Sequence, residues 1–340
     1  MIHSTEAWLT QTAWALRVIY VLAKGMSILV PVAGFLLIGV VFFRFSAGKH
    51  AGTFSLKAAL KYLFPADLYR NRSSKIDAWV VPLTIAFPIA VSALGLGVLL
   101  LSGKSFQALL LRNFGTSPVT VPDGWVGIAL QFAIIFLAAD FAYYVYHYLF
   151  HKVPFLWRLH RAHHSAEVLT PLAKWRFNPA ETLFELAFEG PFSGLLAGTL
   201  MYLCGMKISA TATALVVAMN LAFQTTFYFR HSHIWISYGK ILNHIFYSPC
   251  MHVIHHSALP QHRDKNLGSV LAFWDWLFGT LCVPDSREEF PLGISAEELG
   301  ARNPHSTMRQ FLLEPLTTAS KSLCGLMRGS RGTGIANLPS

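Results

Sequence analysis

The chain has 340 residues, 54% of them apolar and only 13% charged. A soluble domain carries about a quarter of its residues charged, so much of this surface faces something other than water. The formal net charge of +10 is spread along the chain, not gathered into basic runs interleaved with aromatics, which argues against a nucleic-acid partner. The four cysteines, Cys204, Cys250, Cys282 and Cys324, form no CxxC pair and no disulfide framework.

Met1 to Thr12 is mixed polar, with no early apolar core leading to a small-residue cleavage site, so the membrane segments themselves are expected to direct insertion. Gly25 to Phe43 is an uncharged run of nineteen residues, about 28 Å of helix and enough to cross a bilayer core. Ala78 to Leu101 is a second uncharged run, with Pro82 and Pro88 near its start. Gly124 to Phe150 is a third, and it differs in carrying Asp140 and His147 within apolar and aromatic sequence. Leu183 to Cys204, interrupted early by Glu185, Glu189 and Gly190-Pro191, reads as a fourth crossing or as a re-entrant entry. Ile208 to Phe229 follows after a three-residue turn and makes a helical hairpin with it.

Basic residues set the orientation. Arg44, Lys49, Lys57, Lys61, Arg70, Arg72 and Lys75 fill the first loop, and Lys152, Arg158, Arg161, Lys174 and Arg176 fill the segment before the fourth run. The intervening loop has only Lys104 and Arg112, and the hairpin tip only Lys207. Positive loops stay in the cytoplasm, so five crossings with the N-terminus outside satisfy every loop. The expected fold is therefore all-α and integral to the membrane, with four to five transmembrane helices and a cytoplasmic histidine-rich helical cap. Three regions are expected: 1–122 with two membrane helices and a basic loop, 123–285 with the histidines, and a tail over 286–340. Within the tail, Thr307 to Met327 reads either as an interfacial helix or as a partly disordered stretch.

Twelve of the fifteen histidines lie between His147 and His262. His147 and His151 are one helical turn apart at the end of the third run. WRLHRAHHS places His160, His163 and His164 at i, i+3 and i+4, a spacing that puts three imidazoles on one helix face. The same HxxHH spacing returns as His252, His255 and His256, and His231 stands directly after the fifth run. These nine candidates exceed the three or four ligands of one zinc site and fit two metal ions, each taking four or five imidazoles. His233 and His244 are possible additional ligands, His262 is intermediate, and His3, His50 and His305 read as ordinary surface or core residues. Imidazole alone does not choose among zinc, copper, iron and nickel, but no HExxH is present. A pair of redox metals beside lipid-facing helices points to O2 activation and oxidation of an unactivated C–H bond. A membrane metal transporter and a zinc-dependent membrane hydrolase are the competing readings. The first should place histidines near the midplane of several crossings, and the second needs fewer ligands and a general base.

The ordered set of HxxxH at His147, HxxHH at His160, a histidine after the hairpin and HxxHH at His252 resembles the fatty acid hydroxylase superfamily. That group comprises membrane di-iron enzymes such as sterol desaturases, fatty acid hydroxylases and alkylglycerol monooxygenases. SPCMHVIHH resembles the family's last histidine box, and Lys265 to Thr280, KNLGSVLAFWDWLFGT, its closing segment. The resemblance covers roughly residues 125 to 285 and departs in two places: Met251 stands where a histidine often precedes the last box, and Asn178 replaces the histidine of an RxHPxE pattern. His244 is a candidate substitute for a missing ligand. The resemblance implies two iron ions as cofactor, with O2 as co-substrate hydroxylating or desaturating a lipid such as a fatty acyl chain, sterol or ether lipid. The chain has no CxxCH haem site, dinucleotide fingerprint or cluster spacing, so electrons must come from a separate cytochrome, ferredoxin or reduced pterin with its reductase. The membrane is expected to be a bacterial inner membrane or the endoplasmic reticulum, with the active site on the cytoplasmic side.

Asp140, Glu167 and Asn266 are candidates to support the ligands, Asp140 by orienting an imidazole through its second nitrogen. Asp264 and Asp275 flank the last box. Trp157, Trp175, Trp274 and Trp276 are expected to anchor at the headgroup level.

Overall fold

The computed structural model describes residues 28–47, 54–84, 86–119, 121, 124–207, 209–299 and 303–329, with backbone alone over 46–47, 83–84, 86–96 and 326–329 and at 210, 221, 296 and 299. His3, His50 and the Met1 to Thr12 segment lie outside the described residues, as do parts of the first two apolar runs. Among the described residues there is no β-strand, only isolated bridges from Phe246 to Leu271 and from Ser257 to Leu292.

Helix α1 covers Ile28–Phe45 and closes in a π turn, Phe43–Ala47. Short helices α2 (Leu56–Leu63) and α3 (Ala66–Arg70) lead to α4 (Arg72–Thr84) and the long α5 (Ala86–Phe114). Then come α6 (Trp125–Lys152), α7 (Pro154–His164), α8 (Pro179–Leu203) and α9 (Ala210–Arg230). The C-terminal part holds α10 (Gly239–Leu242), α11 (Pro249–His255), α12 (Phe273–Leu277), α13 (Ala296–Leu299) and α14 (Met308–Gly329). Three helices are long and apolar enough to cross a membrane, α1, α6 and α9 over Thr211–Arg230. By that measure the chain is a membrane protein.

Proline and polar caps start the helices that carry the site. Pro154, Pro179 and Pro249 each stand in the first turn of α7, α8 and α11, where a missing N–H costs nothing and the fixed φ suits the helix. Asn178, the residue that departs from the family pattern, caps α8 by accepting from Ala180 N at 3.0 Å. Its amide also donates to Phe311 O and Leu312 O at 3.1 and 3.2 Å, which fastens α14 to the start of α8.

The membrane-side core is apolar contact between α6, α8 and α9, with Ile134, Ile135 and Ala138 against Ala197, Met201 and Val216. Helix α5 packs closely along α8 because Gly194 and Gly198 leave no side chain in the way. A Cβ on Gly198 would run into the carbonyl of Gly103, and one on Gly194 into Ser102 and Leu99 O. Above this base, Tyr146, Phe150, Leu156 and Leu159 join α6 to α7, with Ala319 of α14 in the same cluster. Ile76, Val80, Ala162 and Phe311 join α4, α7 and α14.

The 308–329 stretch is thus a docked helix, not a loosely ordered tail. Glu314 on α14 pairs with Arg161 and accepts from His305 Nε2 at 2.8 Å. Arg176, fully buried, ties the same region together. It donates to Asp77 Oδ1 on α4 at 2.5 Å, to Ala162 O on α7 at 2.9 Å and to Ser165 Oγ at 3.0 Å. Removing one partner of such a buried pair costs about 3–5 kcal/mol, because it strands the other charge. The α5–α8 contact makes its own prediction. Gly198→Ala is expected to lower the thermal unfolding temperature of the purified protein, at a cost of about 1–3 kcal/mol. Gly97→Ala, where a Cβ meets nothing within 4 Å, should leave the midpoint unchanged or slightly raised.

Candidate metal centre

On α6 the residues 140, 147 and 151 fall on one stripe, since seven and eleven residues are close to whole numbers of helical turns. His147 and His151 emerge from that stripe in the last turns of α6, beside α7 and α11. His231 caps the C-terminus of α9. The nine clustered histidines come together in two groups, each with its ligand nitrogens within 4.8 Å of one another: His147, His151, His160, His164 and His255, and then His163, His231, His252 and His256.

The division differs from a simple helix-face reading, in which one HxxHH triplet points at one ion. In α7 the i and i+4 residues, His160 and His164, join the group of five, while His163 at i+3 turns to the group of four. In α11 the assignment is reversed, with His252 and His256 in the group of four and His255 in the group of five. Residues i and i+4 lie about 40° apart around a helix axis, whereas i+3 and i+4 differ by about 100°. A box therefore holds one ion with its i, i+4 pair and lends its third imidazole to the neighbour.

Hydrogen bonds on the outer ring nitrogens decide what the inner ones can do. His147 Nδ1 donates to Leu267 O at 2.8 Å, His255 Nδ1 to Lys265 O at 2.8 Å, and His231 Nδ1 to Phe227 O at 2.9 Å. A carbonyl only accepts, so the proton is on Nδ1 and each Nε2 is a bare lone pair. Tyr247 donates its OH to Asn266 O at 2.5 Å, which leaves the phenol oxygen to accept from His252 Nδ1 at 3.2 Å. His231 Nε2 and His252 Nε2 then face each other at 3.0 Å with no proton between them. In the other group His151 Nε2 and His255 Nε2 are buried without any partner. Converging lone pairs in a buried site are the donor set of a bound cation, and the residues fit a pair of metal ions.

Protons do not fill that role. Burial holds His160, His163, His164, His252, His255 and His256 well below the ordinary imidazole value, with neighbouring imidazoles adding to the effect at several of them. Burial likewise lowers His231 to about 3, against a hydrogen bond to Phe227 that raises it. All are neutral near pH 7, the form that ligates.

The other expected residues are placed as follows. Asp264 Oδ1 lies 3.2 Å from His151 Nδ1, and its second oxygen accepts from Lys152 Nζ at 2.6 Å. Asp140 touches no imidazole. It accepts from Val270 N, Leu271 N and Trp274 Nε1 at 2.8, 3.1 and 2.9 Å, so it holds a loop and not a ligand. Asn266 and Asp275 also bind backbone. Glu167 is exposed, accepts from Asn303 and stands apart from both groups. His233 packs edge-on to Tyr62 with ring centroids 5.5 Å apart, outside both groups. His244 is exposed, its Nδ1 donating to Lys240 O at 2.6 Å, and His262 is buried with Nε2 3.7 Å from Glu288. Met251, the residue that stands directly before the last box, is fully buried in an apolar cluster with Tyr247, Cys250 and Ala272. Trp157 is no headgroup anchor. Its ring lies 5.1 Å from that of His151 and 5.3 Å from that of His164, and its Nε1 donates to Glu298. Trp274 turns inward to Asp140 and Phe141.

Glu181 was not among the expected residues. It is fully buried on α8 and accepts at Oε1 from His160 Nδ1 at 2.5 Å and from Tyr146 OH at 3.3 Å. The signal lay in RFNPAE, whose final acid is this residue.

Residues 132–280 match the sequence profile of the fatty acid hydroxylase family. The chain carries a fatty acid hydroxylase domain. All nine clustered histidines and Glu181 fall inside it. Over 176 residues the chain is 30% identical to the ornithine lipid hydroxylase OlsE of Rhizobium tropici, which covers 52% of this chain and 49% of that protein. It is 29% identical over 155 residues to the alkylglycerol monooxygenase of Xenopus tropicalis and 28% over 145 residues to that of Homo sapiens, covering 46% and 43% of this chain. The chain thus spans about half the length of the first relative, and the matches cover 31% and 29% of the other two. No solved structure matches the chain.

The shifted imidazoles of the hydroxylase domain make stability depend on pH. Each is protonated at lower pH in the folded protein than in the unfolded chain, so the unfolded state takes up more protons as pH falls. The imidazole contribution to the thermal stability of the metal-free protein is expected to be flat above about pH 6.5, the ordinary histidine value. Stability should decline below that toward the range near 3 where His231 titrates. A midpoint that rises on acidification contradicts the neutral-imidazole cluster.

Proposed function

We propose that the chain is a membrane-bound lipid hydroxylase that uses O2 and two iron ions to place a hydroxyl on an unactivated C–H bond of a membrane lipid. The observation that carries this reading is the pair of buried all-imidazole groups, five and four rings, at one end of the apolar helix α6. One zinc ion has no use for nine imidazoles. The groups sit at helix ends and in the segments that follow, away from the middle of the candidate spans, which favours an enzyme over a transporter. Bound iron would supply O2 activation at the Nε2 faces.

The chain's own residues supply the rest. Outer hydrogen bonds to the Leu267, Lys265 and Phe227 carbonyls fix which ring nitrogen faces inward. Glu181 holds the Nδ1 proton of His160, which strengthens that imidazole as a ligand. On the lipid side, Trp276, Leu277 and Phe278 are exposed, and Phe278 stacks on Phe141 of α6 with centroids 6.1 Å apart. An apolar apron therefore adjoins the helix that delivers His147, as approach from the bilayer requires. The distribution of basic loops favours a cytoplasmic location for this end of α6. There a separate cytochrome, ferredoxin or pterin donor can reach it. Each turnover joins R–H, O2, two electrons and two protons to give R–OH and water.

Relatives acting on ornithine lipids and alkylglycerols favour hydroxylation over desaturation and an amphipathic lipid as substrate. Comparative lipidomics of cells with and without the active chain is expected to show a lipid that has gained one oxygen atom. His163→Ala and His164→Ala, one from each group, should each return that lipid to its unmodified form while the protein still inserts. Loss of two hydrogens would establish desaturation instead, and an unchanged product with either variant contradicts a shared two-metal site.

A further inference from the structure

Two carbonyls and one carboxylate that bind imidazoles, and a third carbonyl that reaches one through a tyrosine hydroxyl, come from four consecutive residues. Asp264 contacts His151 through its carboxylate, and the Lys265 and Leu267 carbonyls accept from His255 and His147. The Asn266 carbonyl accepts from Tyr247 OH, which in turn accepts from His252. The first, second and fourth of these act on the group of five, and the third acts on the group of four. We propose that Asp264–Leu267 is a clamp that positions both metal groups together, with Asn266 as its anchor. The proposal rests on the two-metal reading above.

The backbone of the segment is built for this use. Asp264 and Asn266 have φ of 55° and 57°, in the left-handed region that Asn and Asp tolerate best after glycine. The two left-handed residues alternate with Lys265 and Leu267, whose carbonyls are the two that face the group of five.

The conformation is held from outside the metal groups. Asn266 Nδ2 donates to Met251 O at 3.0 Å and to Cys282 O at 2.8 Å, and Oδ1 accepts from Cys282 N at 2.8 Å. Met251 directly precedes His252, so the anchor grips α11 beside a ligand of the second group. Asp275 accepts from Leu267 N at 2.7 Å and Gly268 N at 2.8 Å. Gly268 is required there, since a Cβ would lie 2.7 Å from both Asp275 Oδ2 and Leu271 O. Asp140 supports the next turn through Val270 N and Leu271 N. None of these side chains reaches an inner nitrogen, so all are positioning residues that act through backbone.

The test is titration of the full-length, metal-free protein in detergent with Co2+, whose absorption reports both the number bound and imidazole ligation. Wild type is expected to bind two Co2+ per chain, one in each group. Asn266→Gly keeps the left-handed backbone accessible and removes the three anchoring bonds. It should weaken both Co2+ sites in parallel, by about 10–100-fold. Tyr247→Phe cuts only the link to His252 and should weaken one site alone. Weakening of a single site, or of neither, in Asn266→Gly overturns the clamp. If Asn266→Gly does not fold, Tyr247→Phe decides, and undiminished binding at both sites overturns it. A wild-type protein that binds no pair of Co2+ overturns the metal reading itself, a result distinct from a clamp that fails on an intact pair.

Discussion

Nine neutral imidazoles are buried with their lone pairs turned toward one another, and the rest of the structure around them answers to that constraint. A buried ring nitrogen without a partner costs roughly 1–3 kcal/mol, and here several are aimed inward together. The arrangement is tenable because each outer nitrogen that binds a carbonyl has its proton fixed there, and a cation shared among the inner ones would satisfy what remains. The helix spacing does the sorting. Each HxxHH box commits its i, i+4 pair to one group and its i+3 residue to the other, so the two groups cannot be assembled separately. His164 and His256, one from each group, stack with centroids 4.6 Å apart.

The same constraint explains why so much charge is buried near the site. Arg176, Asp77, Glu181 and Asp275 are all essentially inaccessible. The first three link an element that carries ligands to one that does not. Arg176 fixes the turn after His164 to α4, Glu181 fixes His160 to α8, and Asp275 fixes the segment that follows the last box. Helix α14 closes the outer side of α7 through Phe311 and the Glu314 contacts. It thereby makes part of the C-terminal region a structural support of the histidine domain.

How much of this was legible in the sequence depended on the range of the interaction. The nine imidazoles and the apolar runs over α1, α6 and α9 were readable because helical spacing and hydropathy are local. The division of each box between two groups was not, since spacing alone does not say what lies opposite each face. Asp140 is the clearest case. An acid seven residues before His147 on one stripe reads as a partner for that ring, yet three donors from residues 270–274 occupy it. That segment is over a hundred residues distant in the chain. Glu181 is hidden for the opposite reason: its motif stands out through Asn178, the residue that departs from the pattern, and nothing local marks the acid at its end as the partner of His160. His233 and His244 are close to ligands in sequence, but His233 packs on Tyr62 and His244 lies in the exposed turn after α10.

Two metal ions held by imidazole beside the membrane are the centre of the proposed function. Metal analysis of the full-length protein, purified without chelators, with Mössbauer spectra of the iron, tests this most directly. Two irons per chain, matching the two imidazole groups, in nitrogen-rich coordination is the result predicted. A single zinc with no iron would contradict it.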